Sequence, residues 1–531
     1  MHYMFRIELI NQLENSDQWD VCIIGGGATG LGIAVDAASR GFKTILVEQG
    51  DFAKGTSSRS TKLVHGGVRY LQHGNIRLVW SALRERGILK KNAGHLVKNL
   101  SFIVPQYKWW QGPYYGLGLK LYDWMSGSLG LGSSQLLSRD EVIERIPTIE
   151  QDGLRGGIIY HDGQFDDARL AINLAQTALE QGALMLNYFR VKDFLKAGEK
   201  IIGIVAEDAL SGKEYEIKSK TVINATGVFS DSIQQMDEPG KSLTVRPSQG
   251  IHLVLDRSFL PGDTAIMVPQ TDDGRVLFAV PWHNRVIVGT TETEVDSIRM
   301  EPIPLQKEVD FLLNHASRYL VKHPSYEDIK SMFAGLRPLI RAGTKKSADV
   351  SRDHIILQSA SGLFSIVGGK WTTYRKMAED VINLVISAGR LSSRPCITEN
   401  LAIHGNREEM EFSSPGYYYG TDNASLEKLY AGDESLKELV HPGLPYTKGM
   451  VVHAVRNELA MTVEDVLSRR TRALLLDASA ARAAAIVVAG IMRKELKQTD
   501  EWVNQQLLDF DTIASGYIAV RRQAIMKHGD S

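Results

Sequence analysis

The stretch WDVCIIGGGATGLGIAVDAASRGFKTILVE, Trp19 to Glu48, decides the fold. Asp20 to Ile24 is an apolar run suited to a buried strand. Gly25, Gly27 and Gly30 then fall at G-x-G-x-x-G spacing, where the chain must turn tightly and let a pyrophosphate approach its backbone. Gly32 and Ala34 continue a small-residue face for close packing of helix on strand. The helix is predicted to run to about Ser39, with Gly41 as its stop, and KTILVE forms a second strand ending in Glu48. A carboxylate at that place accepts hydrogen bonds from an adenosine ribose and repels a 2′-phosphate, which disfavours NADP. The unit therefore reads as the start of a dinucleotide-binding domain. It does not separate NAD from FAD, because both present an ADP half.

Composition narrows the rest. A chain of 531 residues divides into two or three domains with ample buried volume. The formal net charge of −1 gives no general attraction to nucleic acid, so no nucleic-acid partner is expected. Cys22 and Cys396 are the only cysteines, too few for a disulfide framework or a four-thiolate cluster, and the chain reads as cytoplasmic. Glu8, Glu14 and Asp17 near the start argue against a secretory signal. The apolar run Ala483 to Met492 is flanked by Arg482 and Arg493 and falls short of the ~20 residues that span a bilayer, so no transmembrane helix is expected. No group of His, Cys and carboxylates has metal-ligand spacing, so no metal is expected.

Two later segments repeat the theme. KTVINATGVFSD is a strand from Thr221 to Asn224 that opens onto Ala225, Thr226 and Gly227, small enough to pass close to a bound dinucleotide, although a plain strand exit reads equally well. GLFSIVGGKWTTYRKMAEDVINLV places Gly368 and Gly369 before Lys370 and a helix from about Thr372. A helix start offers unpaired N–H groups that suit the electron-rich edge of a reduced flavin, or it simply caps a helix.

Together these pieces resemble the flavoproteins of the glutathione-reductase fold class. More narrowly, TSSRSTKLVHGGVRYLQ, FDDARL, GLRPLI, SRD, GGKWTTYRK and TVEDVLSRRTRALLLD, in this order, resemble the FAD-dependent (aerobic-type) glycerol-3-phosphate dehydrogenase family. The likeness runs from about Trp19 to Ile491. Trp371 stands where the family pattern has Leu, and Ser351 where Thr is common. The resemblance implies FAD as cofactor and oxidation of sn-glycerol 3-phosphate to dihydroxyacetone phosphate, by hydride transfer from C2 to flavin N5, with electrons passed to membrane quinone. It leaves open an oxidase that uses oxygen, an FAD amine or hydroxy-acid oxidase of the same fold, and a non-catalytic flavin-bound membrane scaffold.

The interval Ser57 to Gln72 holds Arg59, Lys62, His65 and Arg69 and no carboxylate. A phosphate dianion taken from water needs several cationic donors, which accounts for such a segment. Carried over residue by residue, the resemblance assigns Arg69, Tyr70, Arg352 and Lys370 to the substrate, with Arg337 nearby to steady the developing ketone oxygen. It assigns Ser57, Ser58, Ser60, Thr61 and Lys62 to the FAD pyrophosphate and ring, Gly66 and Gly67 to the space for the isoalloxazine, and Ala225, Gly227, Gly368, Gly369 and Thr372 to the cofactor. Histidine titrates near neutrality and suits the hydroxyl proton. The resemblance favours His252 in the substrate pocket and His65 beside the flavin. Arg59 and Arg155 read as solvated charges. Asp166 and Asp167 precede a helix with Leu170, Leu174 and Ala178 at helical spacing, so they read as capping groups.

The expected fold is α/β with an α+β substrate domain. A Rossmann-like FAD domain of the glutathione-reductase/D-amino-acid-oxidase type is assembled from 19–95, 150–235 and 345–390; an antiparallel or mixed-sheet cap comes from 96–149 and 236–344; a helical domain follows at 395–531. RVLFAVPW and RVIVGTTET read as neighbouring strands. Thr462 with Asp465 marks a helix start, and Leu467, Leu474 and Leu475 a buried face. Tyr107, Trp109, Trp110, Tyr114, Tyr115, Tyr122 and Trp124, with Lys108 and Lys120, suit either a cap-domain core or a membrane interface, where peripheral attachment would bring the enzyme to its quinone. The segment MFRIELINQL reads as a short amphipathic contact. Assembly is open between a monomer and a homodimer.

Overall fold

The strand predicted at the front of the chain is the centre of a parallel sheet. Trp19–Ile24 pairs in parallel with Thr44–Glu48 on one side and Glu214–Asn224 on the other. The order continues to Leu184–Asn187 at one edge, and through Phe364–Gly368 to His354–Gln358 at the other, with Phe189–Ala197 and Lys200–Asp208 as an appended antiparallel hairpin. This computed structural model describes residues 3–67, 76–127, 130–272, 274–341, 354–407, 410–412 and 416–520.

Val21, Ile23, Ile45 and Leu46 are fully buried, as expected of a parallel sheet covered on both faces. Helix Ala28–Ser39 leaves the glycine turn and packs between helices Asp167–Glu180 and Tyr374–Ser387. Gly32 lets the second of these close in, because a Cβ there would lie 2.8 Å from the Tyr374 ring.

A second, ten-stranded sheet covers the cradle. Its long centre is Val245–Asp256, paired antiparallel with Ile329–Ile340 and with Arg285–Gly289; the latter pairs antiparallel with Leu277–Trp282, as the two sequence patterns suggested. Gly156–Gln164, which lies in the 150–235 segment assigned to the FAD domain, pairs with Lys98–Gln106 in this second sheet. Its Tyr160 and Asp162 line the cavity described below.

The C-terminal segment forms helices Asn423–Gly432, Lys448–Asn457, Ala478–Leu496 and Asp500–Ser515. Leu467, Leu474 and Leu475 join the same buried cluster as Ile23 and Leu46, so this segment packs into the nucleotide-domain core. Thr462 and Asp465 make the predicted reciprocal cap, with Asp465 N–H donating to Thr462 Oγ1 at 3.2 Å and Asp465 Oδ2 accepting from Thr462 N–H at 3.0 Å. The turn that follows, Asp465–Arg470, is wider than α. In helix Tyr3–Glu14, Leu9 and Leu13 are buried against the protein, Ile7 is exposed, and Arg6 reaches Asp208 at 2.7 Å.

Candidate active site

Three glycine-rich turns meet at the carboxyl ends of the parallel strands. Gly25, at φ +109°, lies so close to the Ala225 turn that a Cβ would sit 2.8 Å from the Ala225 carbonyl oxygen. Gly30 faces the Gly25 carbonyl, and a Cβ there would lie 1.8 Å from it. This is backbone against backbone, so no rotamer relieves it. Overpacking of ~1–3 kcal/mol is the minimum to expect. Gly30→Ala should therefore lower FAD affinity by about tenfold or more, read as flavin content after gel filtration; a fully yellow variant would contradict the packing argument.

Glu48 Oε2 accepts from Gly26 N–H at 2.6 Å and Oε1 from Gly50 N–H at 2.9 Å. Burial raises its pKa against those two donors. Each oxygen keeps a second lone pair toward the cavity for a ribose hydroxyl. Ser57 Oγ accepts from Ala28 N–H at 2.9 Å, tying the second segment to the helix N-terminus where a pyrophosphate belongs. Gly368 and Gly369, at φ +86° and +83°, carry the third segment past the cavity. Trp371 donates its indole N–H to the Ser57 carbonyl at 2.8 Å and meets Phe165 edge-on, so the residue that departs from the family pattern pins two cofactor segments together.

These turns open on one cavity of about 1400 Å³. Gly25, Gly27, Glu48, Ser57, Ser60, Thr61, His65, Gly67, Ala225, Gly227, Gly368, Gly369, Lys370 and Thr372 line it, and His252 and Arg337 line its other end. The two ends belong to the two sheets. His252 pairs with Gly289 across the strands; a Cβ on Gly289 would lie 2.2 Å from the imidazole, so the glycine makes room for the ring. The ring stacks on Phe333 at 4.9 Å, and Nε2 is 2.9 Å from Thr61 Oγ1. Burial, then the charges of Arg337 and Lys62, hold its pKa well below the ordinary value. His252 is thus neutral at physiological pH and able to take a proton.

Arg337 lies over Gly250, which has no side chain to obstruct it. It donates to the Thr291 carbonyl at 3.1 Å and Thr290 Oγ1 at 3.0 Å.

Four residues assigned to the cofactor do not reach the cavity wall. Lys62 turns inward at φ +65°. A fully buried ammonium requires a countercharge, and Asp167 supplies it, with both carboxylate oxygens 2.8 Å from Nζ. Ser58 is buried beside it, its carbonyl accepting from Lys62 Nζ at 2.7 Å. Gly66 faces away from the cavity, and Gly30 lets the helix start close onto the Gly25 turn. Asp166 caps its helix as expected, accepting from Arg169 N–H at 3.0 Å, and also pairs with Arg472 at 2.8 Å; Asp167 is mainly the partner of Lys62. Arg59 is no solvated charge: it is 5% exposed and meets Glu301 at 2.5 Å, whereas Arg155 is exposed. Arg69, Tyr70, Ser351 and Arg352 lie outside the described residues.

The sequence reading missed Arg275, Phe278, Thr290, Thr291 and Glu292, which share the cavity wall with His252. The strand alternation of RVLFAVPW carried a signal for Phe278; Arg275 sits on the turn before it.

Among the described residues, Asp422, His453 and Glu458 are close enough to hold an ion. Their charges are already compensated. Arg169 pairs with Glu458, and His404 bridges Asp422 and Glu180. Burial alone would depress both histidines, but the carboxylates outweigh it and push His404 and His453 up to about 9. A raised histidine pKa contributes stability that is complete below the unfolded value near 6.5 and is lost as pH rises through about 9. The thermal midpoint should fall across that window, and His404→Gln should flatten the slope; an unchanged slope would remove His404 from the linkage.

The FAD-dependent oxidoreductase family model matches residues 20–375. The chain belongs to this class of flavoenzymes, and its cofactor is FAD. The model for the C-terminal domain of alpha-glycerophosphate oxidase matches residues 365–503. The mitochondrial glycerol-3-phosphate dehydrogenase of Homo sapiens is 39% identical over 537 residues, covering 93% of this chain and 73% of that protein. That of Schizosaccharomyces pombe is 36% identical, covering 93% and 87%. Within the class, the chain belongs to the FAD-type glycerol-3-phosphate dehydrogenase family. Among solved structures, glycerol-3-phosphate dehydrogenase from Bacillus halodurans complexed with FAD superposes with a TM-score of 0.81 at 29% identity, covering 98% of this chain and 99% of that one. The L-alpha-glycerophosphate oxidase of Mycoplasma pneumoniae, at 16% identity and a TM-score of 0.56, shares the fold.

Proposed function

We propose that this protein oxidises sn-glycerol 3-phosphate to dihydroxyacetone phosphate and passes the electrons to membrane quinone. The observation that carries this reading is the single cavity, with the dinucleotide cradle at one end and a neutral His252 beside Arg337 at the other. FAD, when bound, supplies the hydride acceptor. His252 takes the proton of the substrate hydroxyl, and Arg337 steadies the oxygen as it becomes a ketone. Lys370 leaves the third glycine turn toward the same space and holds the phosphate together with Arg69, Tyr70 and Arg352. His65 lies on the flavin side. Segments 19–95, 150–235 and 345–390 carry the cofactor, apart from strand Gly156–Gln164, which joins the second sheet, and 96–149 and 236–344 carry the substrate.

Attachment to lipid is supported by the surface around helix Gln111–Ser126. Trp109 is 78% exposed and Trp124 77%, and Trp80, Ile76 and Leu136 add exposed apolar area. No helix among the described residues is long and apolar enough to cross a membrane. The proposed location is the cytoplasmic face, with peripheral attachment through the exposed aromatic surface.

Anaerobic titration tests the reaction. Glycerol 3-phosphate should bleach the yellow protein, and a quinone analogue should restore the colour. Bleaching only by an amino acid, or none, would end the reading; recolouring by oxygen but not by quinone would end the acceptor half.

A further inference from the structure

Gly66 lies between His65 and Gly67, both on the cavity wall, yet turns away from the cavity. Its N–H donates to the Tyr122 hydroxyl at 2.9 Å. The hydroxyl donates in turn to Asp162 Oδ2 at 3.0 Å, and Arg86 Nη1 donates to the same hydroxyl oxygen at 3.2 Å and to Asp162 Oδ1 at 2.7 Å. Tyr122, Arg86 and Asp162 are 1%, 1% and 3% exposed. Burial, then Asp162, keep the phenol pKa well above its ordinary value, so the proton stays on oxygen and points at Asp162. The lone pairs are left for Gly66 and Arg86.

The contact is close. A Cβ on Gly66 would lie 2.3 Å from the Tyr122 oxygen and 2.3 Å from Leu83 Cδ2. Tyr122 comes from helix Gln111–Ser126, Arg86 from helix Ile76–Asn92 and Asp162 from strand Gly156–Gln164. One hydroxyl thus ties three elements to the backbone of a cavity-lining loop. Phenylalanine would fill the same volume, but it would leave a buried N–H without its acceptor and force the loop to seek another.

We propose that Tyr122 is a positioning residue for the flavin-side loop His65–Gly67, its hydroxyl fixing how that loop meets the isoalloxazine during substrate oxidation. The proposal rests on the cavity reading above. Leu83 provides the contrast, since it packs on the same glycine without a polar group.

The test compares Tyr122→Phe and Leu83→Ala holoenzymes by amide hydrogen exchange over residues 65–67, flavin content, substrate affinity and the limiting rate of flavin bleaching by glycerol 3-phosphate. Displacement of a reacting group by about 1 Å costs up to about 100-fold, so Tyr122→Phe should slow bleaching at least tenfold and speed exchange of the Gly66 amide. FAD content and substrate affinity should stay near wild type. Leu83→Ala should lower the thermal midpoint with bleaching within about threefold of wild type. Wild-type bleaching and exchange in Tyr122→Phe, loss of its FAD, or equal slowing in Leu83→Ala would each overturn the proposal. If glycerol 3-phosphate fails to bleach even the wild type, the substrate reading falls, while exchange at Gly66 still decides whether Tyr122 holds the loop.

Discussion

His252→Gln is expected to slow flavin bleaching by about 10²–10⁴-fold, the range for losing a general base, with FAD still bound. The imidazole sits on Phe333, opposite Gly289, within 2.9 Å of Thr61 Oγ1. Glutamine keeps the polarity and most of the volume but has no basicity near neutrality. Because burial and Arg337 hold the imidazole pKa low, the group stays in its proton-accepting form at neutral pH. The rate that depends on it should be flat from neutrality down past the ordinary histidine value, then fall as the ring protonates. Stopped-flow bleaching across pH measures both effects. A variant bleaching at the wild-type rate would remove His252 from the proton path.

Asp51→Ala is expected to have the largest effect on stability. Asp51 is fully buried and accepts from Arg469 and Arg470, with Oδ1 2.9 Å from Arg470 Nη2. Burial opposes ionisation, but the two guanidinium groups outweigh it and hold the carboxyl pKa low. Removing the anion leaves buried Arg470 without its carboxylate and Arg469 with only Glu464 and Asp465, and breaking a buried pair costs about 3–5 kcal/mol. The effect should extend to the cofactor, because Ala53, Lys54 and Gly55 just beyond Asp51 line the cavity. Arg84→Ala is the comparison: its partner Glu399 is 2.7 Å away, but both side chains are exposed, and such pairs contribute about 0–1 kcal/mol. Denaturant unfolding with flavin fluorescence reads both. Similar losses for the two variants would refute the assignment of Asp51 as a keystone.

The contrast between Asp51 and Gly25 shows what the chain discloses by itself. The nucleotide unit was legible because its determinants are local: apolar run, glycine spacing, helix stop and terminal acid lie within one stretch from Trp19 to Glu48. The second and third turns, at Ala225 and Gly368, read locally only as a strand exit and a helix start, and their link to the cofactor came from the family resemblance. Lys62 was misplaced because a lysine among serines in a segment without acids looks outward to phosphate, and its partner Asp167 is 105 residues away. Arg59 likewise meets Glu301 across the fold. Around SRRTR, Leu467, Leu474 and Leu475 gave the buried face correctly, but Arg469, Arg470 and Arg472 are buried as well. Their carboxylates include Asp51 and Asp166, which no periodicity connects to them. Hydrogen bonds to nearby backbone can be read along the chain; ion pairs between distant segments need the fold.

Strand order in the parallel sheet has a consequence for biosynthesis. The strand beginning at Trp19 has one neighbour made almost at once and the other about two hundred residues later, and Phe364–Gly368 joins only after that. A nascent chain on the ribosome therefore carries an unfinished sheet edge through most of its translation, the situation in which non-local pairing is slow and aggregation competes. The flavin can be clasped only once the third glycine turn has emerged, so loading of the prosthetic group is expected to be a late event.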